Sequence, residues 1–297
     1  MLEDFIRAHQ LPDAFAETAE RCYLPLAEWV ESKLAAHDGE TYVLGINGAQ
    51  GTGKSTLADL LRDYLTSKYQ RRVSMLSIDD IYLTRAEREA LAANVHPLLR
   101  TRGVPGTHDV ELGVAVIEQL RGLQPGATCK VPRFDKSEDE RFPEGDWPVV
   151  TGPVDLVIFE GWCVGSQAAA PADLLEPVNE LERTEDADGV WRRYVNDKLH
   201  NEYPRLFGLL DSLLFLRAPS FAAVHRWRLE QEHKLKARAP GAAVMSDAEV
   251  ARFIQHYERV TAQNLAQLPA LAAAVIELDE AHQATLTPSL QLETPAP

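Results

Sequence analysis

A chain of 297 residues, 45% hydrophobic and 25% charged, has the length and balance of a globular protein with a substantial core, which excludes a fibrous or disordered class. Its 30 Lys and Arg face 45 Asp and Glu, and the formal charge of −15 repels nucleic acid and anionic lipid over most of the surface. Any phosphate that the chain binds must therefore sit in a local basic pocket.

The opening "MLEDFIRAHQ" carries acids where a signal peptide needs a basic start, and no segment approaches the roughly 18 apolar residues of a membrane span. Cys22, Cys129 and Cys163 have neither paired nor metal-like spacing, which suits a reducing compartment. The expectation is a cytoplasmic protein without nucleic-acid or membrane partners. Residues 1–40 read as an N-terminal helical appendage, with apolar residues at mixed three and four spacing in "AETAERCYLPLAEWVESKLAAH". No repeat or Gly/Ser linker divides the rest, so 1–297 is expected to be one domain.

Five short apolar runs follow at 42–46, 73–78, 154–159, 212–216 and 273–278, with helical patterns between most of them. This alternation predicts an α/β fold, a five-stranded, mainly parallel sheet with helices on both faces in a three-layer α/β/α arrangement. The stretch 133–153 is rich in charge, Pro and Gly and reads as a loop or flap, while 285–297 reads as a flexible tail.

Behind the first run stands "GAQGTGKS", which matches G-x-x-x-x-G-K-[ST] at every position, and Leu57, Leu60, Leu61, Tyr64 and Leu65 mark one face of a following helix. Glycines let the backbone wrap a triphosphate, and the helix N-terminus adds positive potential. The nucleotide-binding set is Gly48, Ala49, Gln50, Gly51, Thr52, Gly53, Lys54, Ser55 and Thr56, with Lys54 on the β/γ-phosphates and the Ser55 hydroxyl on Mg²⁺. The guanine-reading N-K-x-D of GTPases is missing after the fourth run. "VDLVIFEG" ends the third run in Glu160, a strand-end carboxylate suited to Mg²⁺ directly or through water.

Two adjacent acids, Asp79 and Asp80, stand where the second run stops. "RTRGVPGTHD" adds Arg100, Arg102, His108 and Asp109, the last also a helix N-cap candidate. "RFDKS" adds Arg133, Asp135 and Lys136, and "VHRWRLEQE" adds Arg226 and Arg228. Thr84 with Glu87 and Ser246 with Glu249 have capping-box spacing. Trp162, Trp191 and Trp227 read as packing residues.

Taken with "FEGW", "EPVNELE" and "MSDAEV", these segments resemble P-loop small-molecule kinases of the uridine kinase, phosphoribulokinase and pantothenate kinase group, most of all plant-type D-glycerate 3-kinase and its bacterial and fungal relatives. The resemblance runs in order over residues 40 to 260. It implies a P-loop NTPase fold with a lid helix, ATP and Mg²⁺ as cofactors, and transfer of the γ-phosphoryl group to a hydroxyl of a small molecule, with D-glycerate as the leading acceptor. It makes Asp79 the general base, with Lys54 and a lid arginine also catalytic. It implies acceptor contacts from Asp80, Tyr82, Arg100, Arg102, His108, Asp109, Arg133, Asp135 and Lys136. Arg226 and Arg228 are two residues apart and do not share a helical face, so one of them is expected at the transferring phosphate. Arg226 is the choice, with Arg228 on the nucleotide. A nucleoside, sugar phosphate or pantothenate-like acceptor, and a nucleotide-binding regulator without transfer, remain open at this point.

Overall fold

The computed structural model of the chain describes residues 1–238 and 245–287. Six strands form the central sheet: β1 (Tyr42–Gly48), β2 (Val73–Ser77), β3 (Leu156–Gly161), β4 (Ser212–Arg217), β5 (Ala274–Leu278) and β6 (Ala284–Thr287). Their order is β6-β5-β4-β1-β3-β2. The first five are parallel, and β6 runs antiparallel to β5 at the edge. Each of the five apolar runs becomes a parallel strand, and one strand is added. That sixth strand, "ATLT", buries only Ala284, so it carried no apolar signal. Its residues 285–287 fall in the segment expected to be tail; the remaining tail, 288–297, lies outside the described residues.

β1 and β3 are buried along their whole length. Both faces of the sheet are therefore covered, which is why these strands read as unbroken apolar runs instead of alternating ones. From β1 the chain crosses to β2 at one edge, returns to β3 beside β1, and then builds the opposite edge with β4 and β5. The carboxyl end of β1 lies where the strand order reverses, and a crevice opens there.

Helix α1 (Leu24–Ala35) belongs to the N-terminal helices, and α2 (Lys54–Tyr69) follows the glycine-rich turn. Leu26, Val30 and Leu34 recur at a spacing of four and are buried. Glu28 pins α1 to α2 by accepting from Lys68 Nζ at 2.6 Å and from the hydroxyls of Tyr64 and Tyr69. These bonds, led by that of Lys68, hold its carboxyl down at about 2. An exposed pair of this kind adds little in water, so the apolar stripe supplies most of the docking energy.

Three further helices matter for the site. In α3 (Arg85–Asn94) the Thr84–Glu87 capping box is formed, and Asp109 caps α4 (Val110–Arg121) through Leu112 N at 3.0 Å. α5 (Phe221–Arg238) packs against α6 (Asp247–Gln267), which starts from the Ser246–Glu249 capping box. Residues 133–153 belong to an ordered flap made of two small antiparallel pairs, Thr128–Lys130 with Val149–Thr151 and Phe134–Asp135 with Glu140–Arg141. Among the described residues no helix is long and apolar enough to cross a membrane.

Candidate active site

The glycine-rich turn leaves β1 at Gly48 and enters α2 at Lys54, with Gly51 and Gly53 both at φ +83°. At Gly51 the requirement is also spatial, because an added Cβ would lie 2.7 Å from Trp227 Cβ. Thr52 stiffens the turn by donating its hydroxyl to Ala49 O at 2.8 Å. The first N–H groups of α2 have no partner within the helix and point to the mouth of the turn, the geometry that receives an anion.

Parallel pairing brings Glu160 beside Ile46 on one side and Ser77 on the other. Its Oε1 accepts from Ser55 Oγ at 3.1 Å, and its Oε2 is buried without a partner among the described residues. Burial pushes this carboxyl up, opposed by the charge of Lys54. A hydroxyl, a buried carboxylate and one unsatisfied oxygen fit a hard cation such as Mg²⁺, which takes few protein ligands and completes its shell with water and phosphate oxygens. Among the described residues no cluster of three or more His, Cys, Asp or Glu could hold a metal.

Directly after β2, residues Ile78–Ile81 form a single 3₁₀ turn. Its capping box, Ser77 with Asp80, turns the two aspartates apart. Asp80 Oδ2 accepts from Ser77 N at 3.4 Å and from Arg133 Nη1 at 3.0 Å, and its Oδ1 accepts from Phe134 N at 3.3 Å. It therefore ties the flap to the turn, and burial raises its pKa against the Arg133 charge. Asp79 faces a cleft of about 490 Å³ that also receives Lys54, Ser55, Tyr82, Arg102 and Lys136. Tyr82 donates its hydroxyl to Asp79 Oδ1 at 2.6 Å, and Lys136 Nζ donates to Oδ2 at 2.7 Å. Burial opposes ionisation here, but Lys136 and Lys54 outweigh it and hold the Asp79 carboxyl at about 2.

Several expected contacts lie elsewhere. Arg133 is committed to Asp80, so it is a flap anchor and not a cleft cation. Asp135 closes a turn by accepting from Ser137 N at 2.8 Å and Glu138 N at 3.2 Å. Arg100 is exposed and does not line the cleft, whereas Arg102 does, held by Asp139 and lying over the Phe134 ring at 5.5 Å. Asp109 serves as the helix cap and pairs with Arg141 at 3.3 Å. His108 is 4% exposed and stacks behind the Tyr82 ring at 5.0 Å, with Nδ1 2.5 Å from the Tyr203 hydroxyl. It supports Tyr82 from behind the cleft wall.

Of the two lid arginines expected at the site, only Arg228 reaches it. Arg226 leaves the cleft and pairs with Glu280, while Arg228 lines the cleft and pairs with Glu232 at 2.6 Å. A helix turns two successive alternate residues to different faces, so one arginine enters, as expected, but it is the other one.

Trp162, buried in the core as a packing residue is expected to be, also touches the cleft, and so does Tyr257, which no sequence motif marks. Their rings meet edge-on at 4.9 Å. Trp162 Nε1 donates to Gly103 O at 2.9 Å and the Tyr257 hydroxyl to Arg102 O at 3.1 Å, which fixes the backbone bearing Arg102. Trp162 follows Glu160 at a strand end, a position that could have marked it. Tyr257 sits in mid-helix far along the chain and carried no local mark. A larger open depression of about 850 Å³ runs between a first short helix, Leu2–Ala8, and the end of α2 with Val73 at the start of β2.

No family model matches the chain. It is 40% identical over 232 residues to an uncharacterized kinase of Schizosaccharomyces pombe, covering 74% of this chain and 79% of that one. It is 34% identical over 252 residues to the chloroplastic D-glycerate 3-kinase of Arabidopsis thaliana, covering 79% of this chain and 52% of the plant protein, about half its length. In the solved structure of D-glycerate 3-kinase from Cryptococcus neoformans var. grubii, 99% of that chain superposes on 89% of this one with a TM-score of 0.74 and 26% identity.

Proposed function

This chain belongs to the P-loop small-molecule kinase family that includes D-glycerate 3-kinase and is an ATP-dependent kinase, and from that premise we propose that it phosphorylates a hydroxyl of D-glycerate with Mg²⁺ATP as donor. One observation carries this reading: the ionised carboxylate of Asp79 shares a 490 Å³ cleft with the P-loop lysine and with Arg102 and Lys136, while the other carboxylate lining it, Glu232, is paired with Arg228. A hydroxy acid needs a carboxylate partner for its hydroxyl and cations for its acid group.

In this mechanism the P-loop N–H groups and Lys54 bind the β- and γ-phosphates, and Ser55 with Glu160 would hold Mg²⁺, which neutralises phosphate charge when bound. Asp79 orients the acceptor hydroxyl and takes its proton. With its carboxyl held at about 2 it is a weak base. That suffices for a loose phosphoryl transfer, in which positioning and charge neutralisation dominate. Tyr82 keeps the carboxylate aligned. Arg228 leaves Glu232 for the transferring phosphoryl group, taking the part that an arginine finger takes elsewhere. The lid helices α5 and α6 exclude water and limit idle hydrolysis. A reducing compartment such as the cytoplasm belongs to this reading, supported by three buried, unbridged cysteines.

A coupled ADP-release assay with D-glycerate, uridine, pantothenate and ribulose 5-phosphate in parallel tests the assignment. Acceleration by D-glycerate above the others is the expected result. Acceleration by another acceptor alone would overturn the substrate and keep the kinase, and none with any acceptor would favour a nucleotide-binding regulator.

A further inference from the structure

Lys136 stands out because its charge is spent on the residue that the reaction needs free. Its Nζ lies 2.7 Å from Asp79 Oδ2, and among the described residues it has no other ion-pair partner. The neighbouring Asp135 does not compete for it, being bound into its own turn by Ser137 and Glu138. The cleft cations outside the P-loop are held differently: Arg102 by Asp139 and Arg228 by Glu232, neither of them the reacting carboxylate. Lys136 is also the most exposed of these three, on a flap loop with a side chain 60% exposed, against 29% for Arg102 and 18% for Arg228.

We propose that Lys136 makes the kinase selective for acid acceptors: its ammonium covers Asp79, and the acceptor's own carboxylate draws it aside and so opens the base to the acceptor hydroxyl. This rests on the kinase reading above and adds to it a residue that decides which acceptors are used. A neutral hydroxyl can replace the hydrogen bond that Asp79 loses when Lys136 withdraws, but it leaves the ammonium without an anionic partner. A hydroxy acid supplies both halves of the exchange in one molecule. Its hydroxyl takes the place of Lys136 on Asp79, and its carboxylate takes the place of Asp79 on Lys136. Arg102, anchored by Asp139 and by the backbone that Tyr257 and Trp162 hold, is the fixed second cation against which the same carboxylate can rest. The Arg102 guanidinium also reaches Lys136 O at 3.4 Å, which holds the flap backbone in place while the Lys136 side chain exchanges partners.

The test compares D-glycerate with glycerol, which keeps the three carbons and the hydroxyls but not the charge, in the wild type, Lys136→Met and Lys136→Arg. For Lys136→Met, kcat/KM for D-glycerate is expected to fall about 10- to 100-fold, mostly through KM, the size of one lost charge-assisted hydrogen bond. The value for glycerol should stay level or rise, so that the preference for the acid narrows at least tenfold. Lys136→Arg should recover most of the preference. Calorimetric titration of D-glycerate into protein saturated with a non-hydrolysable ATP analogue gives a second readout, with weaker binding expected for Lys136→Met and unchanged affinity for the analogue. Equal losses for both acceptors, or an unmoved preference with wild-type affinity for D-glycerate, would overturn the role of Lys136 while leaving the kinase in place. Absence of acceptor-dependent turnover in the wild type would instead bring down the kinase reading and this inference together.

Discussion

The nucleotide half and the acceptor half of the cleft are built in opposite ways. On the nucleotide side one unbroken stretch, Gly48 to Thr56, supplies turn, helix start, lysine and hydroxyl, and only Glu160 comes from another strand. On the acceptor side Asp79, Tyr82, Arg102, Lys136, Trp162 and Tyr257 arrive from five separate segments. The first half is a local structure that the sequence dictates nearly alone. The second is a tertiary assembly of ion pairs, where neighbours in sequence part company: Asp79 from Asp80, Asp135 from Lys136, Arg226 from Arg228.

The largest expected effect tests the local half. Lys54→Ala removes the one cation fixed by the P-loop, and kcat/KM should fall by about 10³ or more while thermal unfolding is nearly unchanged. A loss of less than tenfold in the coupled assay would mean that the phosphates are held without the P-loop lysine.

Next in size is the contrast inside the 3₁₀ turn. Asp79→Asn should lower kcat by about 10² to 10⁴ with little change in KM for ATP. Asp80→Asn should act on the fold, because it unpairs Arg133 and loosens the flap, costing about 1–3 kcal/mol in urea unfolding. If both variants lost kcat equally and kept their stability, the turn would be working as one unit and the division of labour would fall.

This contrast also marks how far the sequence could be read. Five strands, the P-loop, Glu160 and three helix caps were legible because each is a local pattern of period, spacing or cap chemistry. The edge strand β6 was not, since four residues with one fully buried side chain are too few to show a period. Among the acceptor candidates the sequence supplied Tyr82, Arg102 and Lys136, which line the cleft, but did not separate them from Asp80, Arg100, Arg133 and Asp135, which do not. Which charged side chain faces the cleft is settled by how a single turn is capped and by which carboxylate each arginine meets, and neither is written in spacing. Arg133 and Arg102 look alike in sequence, yet Asp80 takes one and the cleft keeps the other.

The lid offers a sharper version of the same test at smaller amplitude. Arg228→Ala should reduce kcat about 10- to 100-fold and raise idle hydrolysis relative to transfer, because the transferring charge loses its partner. Arg226→Ala, whose side chain meets Glu280 outside the cleft, should stay within about threefold of the wild type. The reverse order would restore the assignment made from sequence and require α5 to rotate as the lid closes.

The smallest effect concerns the wall behind the acceptor half. Burial pushes His108 down from 6.5 to about 4, against the attraction of Asp79, and burial likewise lowers His256 to about 4. A histidine whose folded pKa is depressed stays neutral in the native protein while the unfolded chain takes up the proton. Its contribution to stability is complete above pH 6.5 and is lost as the pH falls toward 4. Each of the two should cost about 2 kcal/mol between pH 7 and pH 4.5. His108→Gln should remove its share of this acid sensitivity, seen as a shallower fall in urea midpoint, and His256 should retain the rest. The location of the loss matters more than its size. Because His108 backs Tyr82 and not the P-loop, hydrogen exchange at pH 4.5 should rise first around Ile78–Tyr82 and the Gly103–Asp109 loop, while amides of α2 stay protected. Opening of α2 at the same pH would show that the two halves unfold as one and that their separation in sequence has no counterpart in stability.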